Sequence, residues 1–129
     1  MISVYCGRSS RTSRQAVAWF EEYKIQISKK RIEQITREDL VHILSISENG
    51  FPDIIKSAKG SGTRIHKVRK YISVLNFGEA VDYLMEYQDV LRVPLIFDEQ
   101  KLVIGYNPES IRIFTAKDYR RSKGFQNIL

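Results

Sequence analysis

The chain opens on an alternation, Ile2-Ser-Val-Tyr-Cys6, in residues that favour extended backbone, and this predicts a strand. Gly7-Arg-Ser-Ser10 interrupts it. From Ser13 to about Lys24 the apolar positions Ala16, Val17, Trp19, Phe20 and Tyr23 recur at spacings of three and four, which puts them on one face of a helix with Ser9 or Ser10 as its N-cap. Ile25–Lys29 reads as a second short strand. Together these segments form a β-loop-α-β unit whose first loop lies at the carboxyl end of a strand, where α/β domains usually place their chemistry.

Thr36-Arg-Glu-Asp-Leu opens a second helix: Thr36 is a good cap, and Glu38 and Asp39 fall in the first turn, where the helix dipole favours acids. It should run to about Ile46 and stop at Glu48-Asn-Gly50. Phe51–Ala58 is expected to be a further short helix with Pro52 at its start, and Gly60-Ser-Gly62 a flexible break. Gly78–Gln88 is amphipathic through Ala80, Val81, Leu84 and Met85. Arg92–Asp98 and Gln100–Gly105 read as strands, and the short link between them predicts an antiparallel hairpin. Asn107 then caps a last helix with Pro108 at its first position, and a polar, basic tail expected to be loose begins at Lys117. No internal repeat and no compositional boundary divides the chain.

Composition narrows the class. With 129 residues, 43% of them hydrophobic and 28% charged, the chain is expected to be one soluble globular domain. No apolar run approaches the roughly 20 residues of a membrane helix, and the start lacks the charged and apolar regions of a signal peptide, so membrane insertion and secretion are disfavoured. The single cysteine excludes an internal disulfide or a cysteine-based zinc site and fits a reducing cytoplasm. The formal charge of +6 is unevenly placed: no acid occurs from Ile54 to Gly78, while Lys56, Lys59, Arg64, Lys67, Arg69 and Lys70 do. Without those six, the 21 Lys and Arg fall to fifteen, equal to the 15 Asp and Glu. A localised basic arm suggests an anionic partner such as nucleic acid or an acidic protein face, set against the plainer reading of a solvated surface.

Enzyme signatures are scarce. Gly60-Ser-Gly62 lacks the third glycine and the preceding strand of a phosphate loop. His42 and His66 stand far apart without an adjacent acidic or cysteine cluster, so no metal site and no cofactor are expected, and His42 reads as a surface or partly buried helix residue. Ser10 and Ser13 at a helix start are caps before they are nucleophiles, because no general base is identifiable. Cys6 is most simply a small, partly buried hydrophobe; if exposed, the nearby Arg8 and Arg11 would lower its pKa.

The order of motifs is itself informative: a strand, then Ser10-Arg11-Thr12-Ser13-Arg14 opening a helix with Ala18-Trp19-Phe20-Glu21-Glu22, then Leu91-Arg92-Val93-Pro94-Leu95-Ile96-Phe97-Asp98-Glu99, Leu102-Val103-Ile104-Gly105-Tyr106-Asn107 and an Ile-Arg-x-Phe helix. From Met1 to about Arg121 this closely resembles the Spx family, transcriptional regulators of low-GC Gram-positive bacteria that share the thioredoxin-like fold of glutaredoxin-linked arsenate reductase (ArsC). The resemblance implies an α/β chain of ArsC/Spx type with a small mixed sheet and an inserted helical subdomain. Its single domain would comprise a thioredoxin-like core at about 1–31 and 91–116, a helical insert at about 36–90 and a flexible basic tail at about 117–129.

Two departures follow from the same alignment. The Spx redox switch is a Cys-x-x-Cys at the start of the first helix, and those positions fall on Ser10 and Ser13, whose hydroxyls cannot form a disulfide. Arsenate reductase needs its nucleophilic cysteine at Ser10 and an oxyanion-binding arginine before the hairpin proline, where this chain has Val93; another family arginine falls on Ala58, beside Lys59. The expectation is therefore a non-enzymatic cytoplasmic regulator. In the family such proteins bind the C-terminal domain of the RNA polymerase α subunit through a glycine after the second helix. That glycine is Gly50, with Ser47, Phe51, Lys56 and Lys59 as its neighbours in the contact; the bland alternative for Gly50 is a helix C-cap needing positive φ. Arg64, Lys67, Arg69 and Lys70 are candidate contacts to promoter DNA in the polymerase complex. Two alternatives remain open: an arsenate reductase-like thiol oxidoreductase using Cys6 alone, and non-specific DNA binding through the basic arm, which should be weak and salt-dependent.

Overall fold

The computed structural model describes residues 1–59 and 62–115. Strand β1 (Ile2–Cys6) is followed by helix α1 (Arg11–Glu22) and strand β2 (Ile27–Arg31). A 3-10 turn at Ile32–Gln34 leads to α2 (Arg37–Ile46), α3 (Phe51–Ile54), α4 (Gly62–Val74) and α5 (Phe77–Glu86). Strands β3 (Leu95–Phe97) and β4 (Leu102–Ile104) close the sheet, and 112–115 is helical. The strand order is β2-β1-β3-β4. β1 pairs β2 in parallel and β3 antiparallel, and β3 pairs β4 antiparallel. This is the small mixed sheet of a thioredoxin-like α/β fold.

The sheet separates two apolar clusters. Val4 and Ile96, which lie opposite each other in β1 and β3, pack with Ile2, Ala16, Trp19, Phe20, Val103, Ile111 and Phe114. Tyr5, Leu95 and Phe97 belong to the other cluster, which α2 to α5 complete through Leu40, Ile43, Ile54, Val68, Val81 and Leu84. Successive strand residues point to opposite faces, so the short strands serve both layers at once.

Caps set the helix starts. Ser10 Oγ accepts from the Ser13 N–H at 3.1 Å, and Thr36 Oγ1 accepts from the Asp39 N–H at 3.0 Å. Asn76 and Glu79 form a reciprocal capping box at α5. These bonds are local, and Ser10 and Thr36 fall where the sequence pattern puts them.

Several boundaries differ from expectation. β2 begins at Ile27, two residues later than predicted, because the chain leaves α1 through Lys24 at φ +55° and Ile25 N–H bonds back to the Phe20 carbonyl. α3 ends at Ile54, since Ile55 forms a bridge with Leu91 and cannot continue a helix. β3 is confined to Leu95–Phe97: it follows the cis Val93-Pro94 peptide, and Pro94 has no N–H for a ladder. Asn107 Oδ1 does accept from the Glu109 and Ser110 N–H groups, but 108–111 is a turn and the helix starts at 112. The largest difference is α4. The basic segment, read from its charges as an arm but lying inside the helical insert that the resemblance implies, is a helix whose Ile65, Val68 and Ile72 are buried at spacings of three and four. Gly60, Ser61 and the tail from Lys117 lie outside the described residues.

Candidate functional site

Two places carry the residues singled out in the sequence. The first is the loop between β1 and α1. Ser10 caps α1 and its Oγ stands 3.2 Å from Thr12 Oγ1, which in turn donates to the Val93 carbonyl at 3.3 Å. Ser13, only 2% exposed, accepts from the Gly7 N–H through Oγ at 3.1 Å. Both serines therefore hold the loop against the helix. Gly7 is needed there for a spatial reason: a Cβ on it would sit 2.5 Å from Val93 Cγ2. Val93 is thus the neighbour that fills the space between the β1–α1 loop and the start of β3.

Cys6 is half-buried at the end of β1. Burial pushes its thiol pKa up, and the positive charge of Lys29 and a hydrogen bond with Ser13 oppose that only in part. Arg8 and Arg11, close in sequence, are not what the thiol feels; the parallel pairing of β1 with β2 brings Lys29 to it instead. His42 is tied down, with Nε2 2.8 Å from the Asp98 carbonyl oxygen and its ring 5.9 Å from Phe97. Among the described residues no group of His, Cys, Asp and Glu is arranged to hold a metal.

The second place is the turn between α2 and α3. Ser47 is the C-cap of α2; its Oγ donates to the Leu44 carbonyl at 2.7 Å and accepts from the Gly50 N–H at 3.0 Å. Gly50 is not the helix C-cap but the N-cap of α3, with φ +77° and ψ −136°, a conformation strained for any residue with a side chain. Nothing lies within 4 Å of a Cβ built there, so the backbone faces open space. Asn49 braces the turn from outside: its N–H and side-chain amide both donate to the Asp53 carboxylate. Phe51 is half-buried, and its ring lies 5.5 Å from that of Phe77, which is 52% exposed although it opens α5. Phe77 was not legible as part of this surface, because only the packing of α5 on α3 brings it there.

The six bases of the acid-free segment do different things. Lys56, Lys59, Lys67 and Lys70 are exposed. Arg64 forms a forked pair with Asp89, at 2.6 and 3.3 Å, which holds the Asp89 carboxyl below its usual range. Arg69 donates to the carbonyls of Ile55, Lys56 and Pro52, and so ties α4 to the end of α3.

A four-stranded mixed sheet with a capped helix behind the β1 loop and a cis-proline before β3 defines the class, and the ArsC family model matches residues 5–114. The chain belongs to the ArsC family. Within it, the chain is 33% identical over 130 aligned positions to the Lactococcus lactis protein named global transcriptional regulator Spx 1, covering 99% of each. It is also 33% identical to global transcriptional regulator Spx of Streptococcus pneumoniae strain R6, over 95% of this chain and 92% of that one. Among solved structures, a solution structure of a Staphylococcus aureus protein superposes with a TM-score of 0.74 at 17% identity, covering 88% of this chain and 97% of that one. A possible arsenate reductase from Streptococcus mutans gives 0.68 at 21% identity, over 83% and 92%. These two structures speak for the fold. Among the described residues no helix is long and apolar enough to cross a membrane.

Proposed function

We propose that this protein is an Spx-like transcriptional regulator that acts in the cytoplasm, without enzymatic activity, by binding the C-terminal domain of the RNA polymerase α subunit. The observation that carries the reading is the Gly50 turn: a glycine held in a conformation of its own, braced by Ser47 and Asn49, with open space over its backbone and the Phe51 and Phe77 rings close by in the fold. A partner backbone can approach such a site closely, and the aromatic pair offers apolar surface to bury. The full-length likeness to proteins named as global transcriptional regulators supports the same reading.

Lys56 and Lys59, exposed beyond α3, extend the contact, and Lys67 and Lys70 on α4 reach promoter phosphates beside the bound polymerase subdomain. Arg64 and Arg69 have protein partners already and contribute to DNA contact only through charge that remains after those bonds. No internal disulfide switches the protein, since Ser10 and Ser13 stand at the switch positions and Cys6 is the one cysteine of the chain.

The test is a pull-down with purified α C-terminal domain. Wild type is expected to bind, Gly50→Arg to lose binding, and Gly50→Ala, which shares the backbone strain but not the bulk, to retain most of it. Failure of the folded wild type to bind removes the reading. Arsenate turnover by the wild type would instead make it an enzyme.

A further inference from the structure

A second basic surface exists that the linear charge pattern conceals, because its members come from the part of the chain whose acids and bases balance. It is a cleft of about 710 Å³ between α1 and the edge strand β2. On the helix side Arg14, Val17, Ala18 and Glu21 fall at spacings of three and four and face it as one stripe. On the strand side, parallel pairing sets Lys29 beside Val4 and Arg31 beside Cys6. Val4 packs into the α1 layer, so Lys29 and Arg31 project over that same face. Arg8 completes the basic lining beside Ser9, Ser10 and Cys6, while Lys30 borders the cleft but projects to the other face of β2.

Four bases, Arg8, Arg14, Lys29 and Arg31, thus face one concavity with a single carboxylate, Glu21. Among the described residues none of the four forms an ion pair. Like charges so gathered repel one another, and a cleft with low-dielectric walls focuses their field. A net of three positive charges calls for a ligand carrying two or more negative ones. The size lies in the range of small-molecule sites, and Val17 and Ala18 supply an apolar wall for an uncharged part of the ligand. Val93 and Pro94 do not line it, so it opens on the β2 side of α1, away from the start of β3.

We propose that this cleft binds a small phosphorylated molecule bearing a diphosphate or an equivalent pair of anionic groups, with Arg8, Arg14, Lys29 and Arg31 as its ligands and Val17 and Ala18 against its uncharged body. The proposal does not depend on polymerase binding, and either can stand without the other. A duplex fits less well, since its backbone is convex and wants bases in an open row, whereas these stand on facing walls.

The probes are ADP and inorganic pyrophosphate, titrated calorimetrically into the full chain at two salt concentrations, with amide chemical-shift mapping on the wild type. Binding that weakens with salt, competition between the two probes, and shifts confined to about 7–21 and 29–34 are expected. Lys29→Glu with Arg31→Glu, both exposed side chains whose replacement is checked by circular dichroism, should weaken ADP about tenfold or more, while Lys67→Glu with Lys70→Glu changes it less than about twofold. No binding of either probe, shifts on 62–74, or equal weakening by both double variants overturns the proposal. So does a short DNA duplex that binds this footprint more tightly than ADP, which would make the cleft a nucleic-acid surface.

Discussion

The Tyr5 hydroxyl donates to Asp39 Oδ2 at 2.5 Å, joining the central strand β1 to the first turn of α2. Asp39 also has its backbone N–H capped by Thr36, so a residue of the first turn of α2 anchors that helix to the sheet. Burial first, and then the Asp39 carboxylate, push the Tyr5 phenol up to about 12. Tyr5→Phe is expected to cost about 1–3 kcal/mol in urea denaturation, as it leaves a carboxylate without its donor. The pH dependence has a definite sign. A phenol whose folded pKa is raised contributes in full below its unfolded value of about 10 and loses that contribution as pH rises through the folded one. The stability gap between wild type and Tyr5→Phe should therefore narrow above about pH 10; a gap that widens there contradicts the bond.

Gly7 and Val93 make a steric prediction. A methyl on Gly7 meets Val93 Cγ2 at 2.5 Å and both Val93 Cβ and Ser10 Cβ at 3.3 Å, and a β-branched side chain has little rotameric escape. Gly7→Ala should destabilise by about 1–3 kcal/mol. Val93→Ala in the same chain should recover much of that loss, so the double-mutant cycle is strongly non-additive. Additive costs would mean that the contact is relieved elsewhere.

For Arg69 the expectation is structural. Its guanidinium serves three carbonyls, and Arg69→Ala should lower stability by about 1–3 kcal/mol, with Arg69→Lys restoring only part because an ammonium cannot fork. Lys67→Ala, an exposed change on the same helix, should stay within about 0.5 kcal/mol. Thermal or urea melts of the three variants decide it, and equal effects at the two sites would remove the tie between α4 and α3.

Cys6 should be a sluggish thiol. With burial raising its pKa, the pH midpoint for alkylation by iodoacetamide is expected above the usual value of about 8.5. Lys29→Ala removes the charge that opposes burial, so the midpoint should move further up. A downward move would show that Lys29 does not act on the thiolate.

How far these relationships could be read in advance depends on their range along the chain. The strand Ile2–Cys6, the caps Ser10 and Thr36, helix α2 to Ile46 and the β3–β4 hairpin follow from bonds and periodicities confined to a few neighbouring residues, and the structure places them where the pattern does. Helix α4 carried a legible signal in Ile65, Val68 and Ile72, but six bases without an acid pointed to a solvated arm, and apolar burial outweighs that preference.

The candidate sites divide along the same line. Local chemistry is enough to single out Glu48-Asn-Gly50 as a turn, and the count of one cysteine is enough to exclude an internal disulfide. That Phe77 leans on Phe51, that burial sets the Cys6 thiol with Lys29 rather than Arg8 as the opposing charge, that Val93 demands a glycine at position 7, and that Arg8, Arg14, Lys29 and Arg31 converge on one cleft all required the folded chain. Charge balance along a sequence says nothing of charge balance in space: parallel pairing of β1 with β2 lays two bases of an edge strand against a helix stripe, and the acids that offset them in the count lie elsewhere.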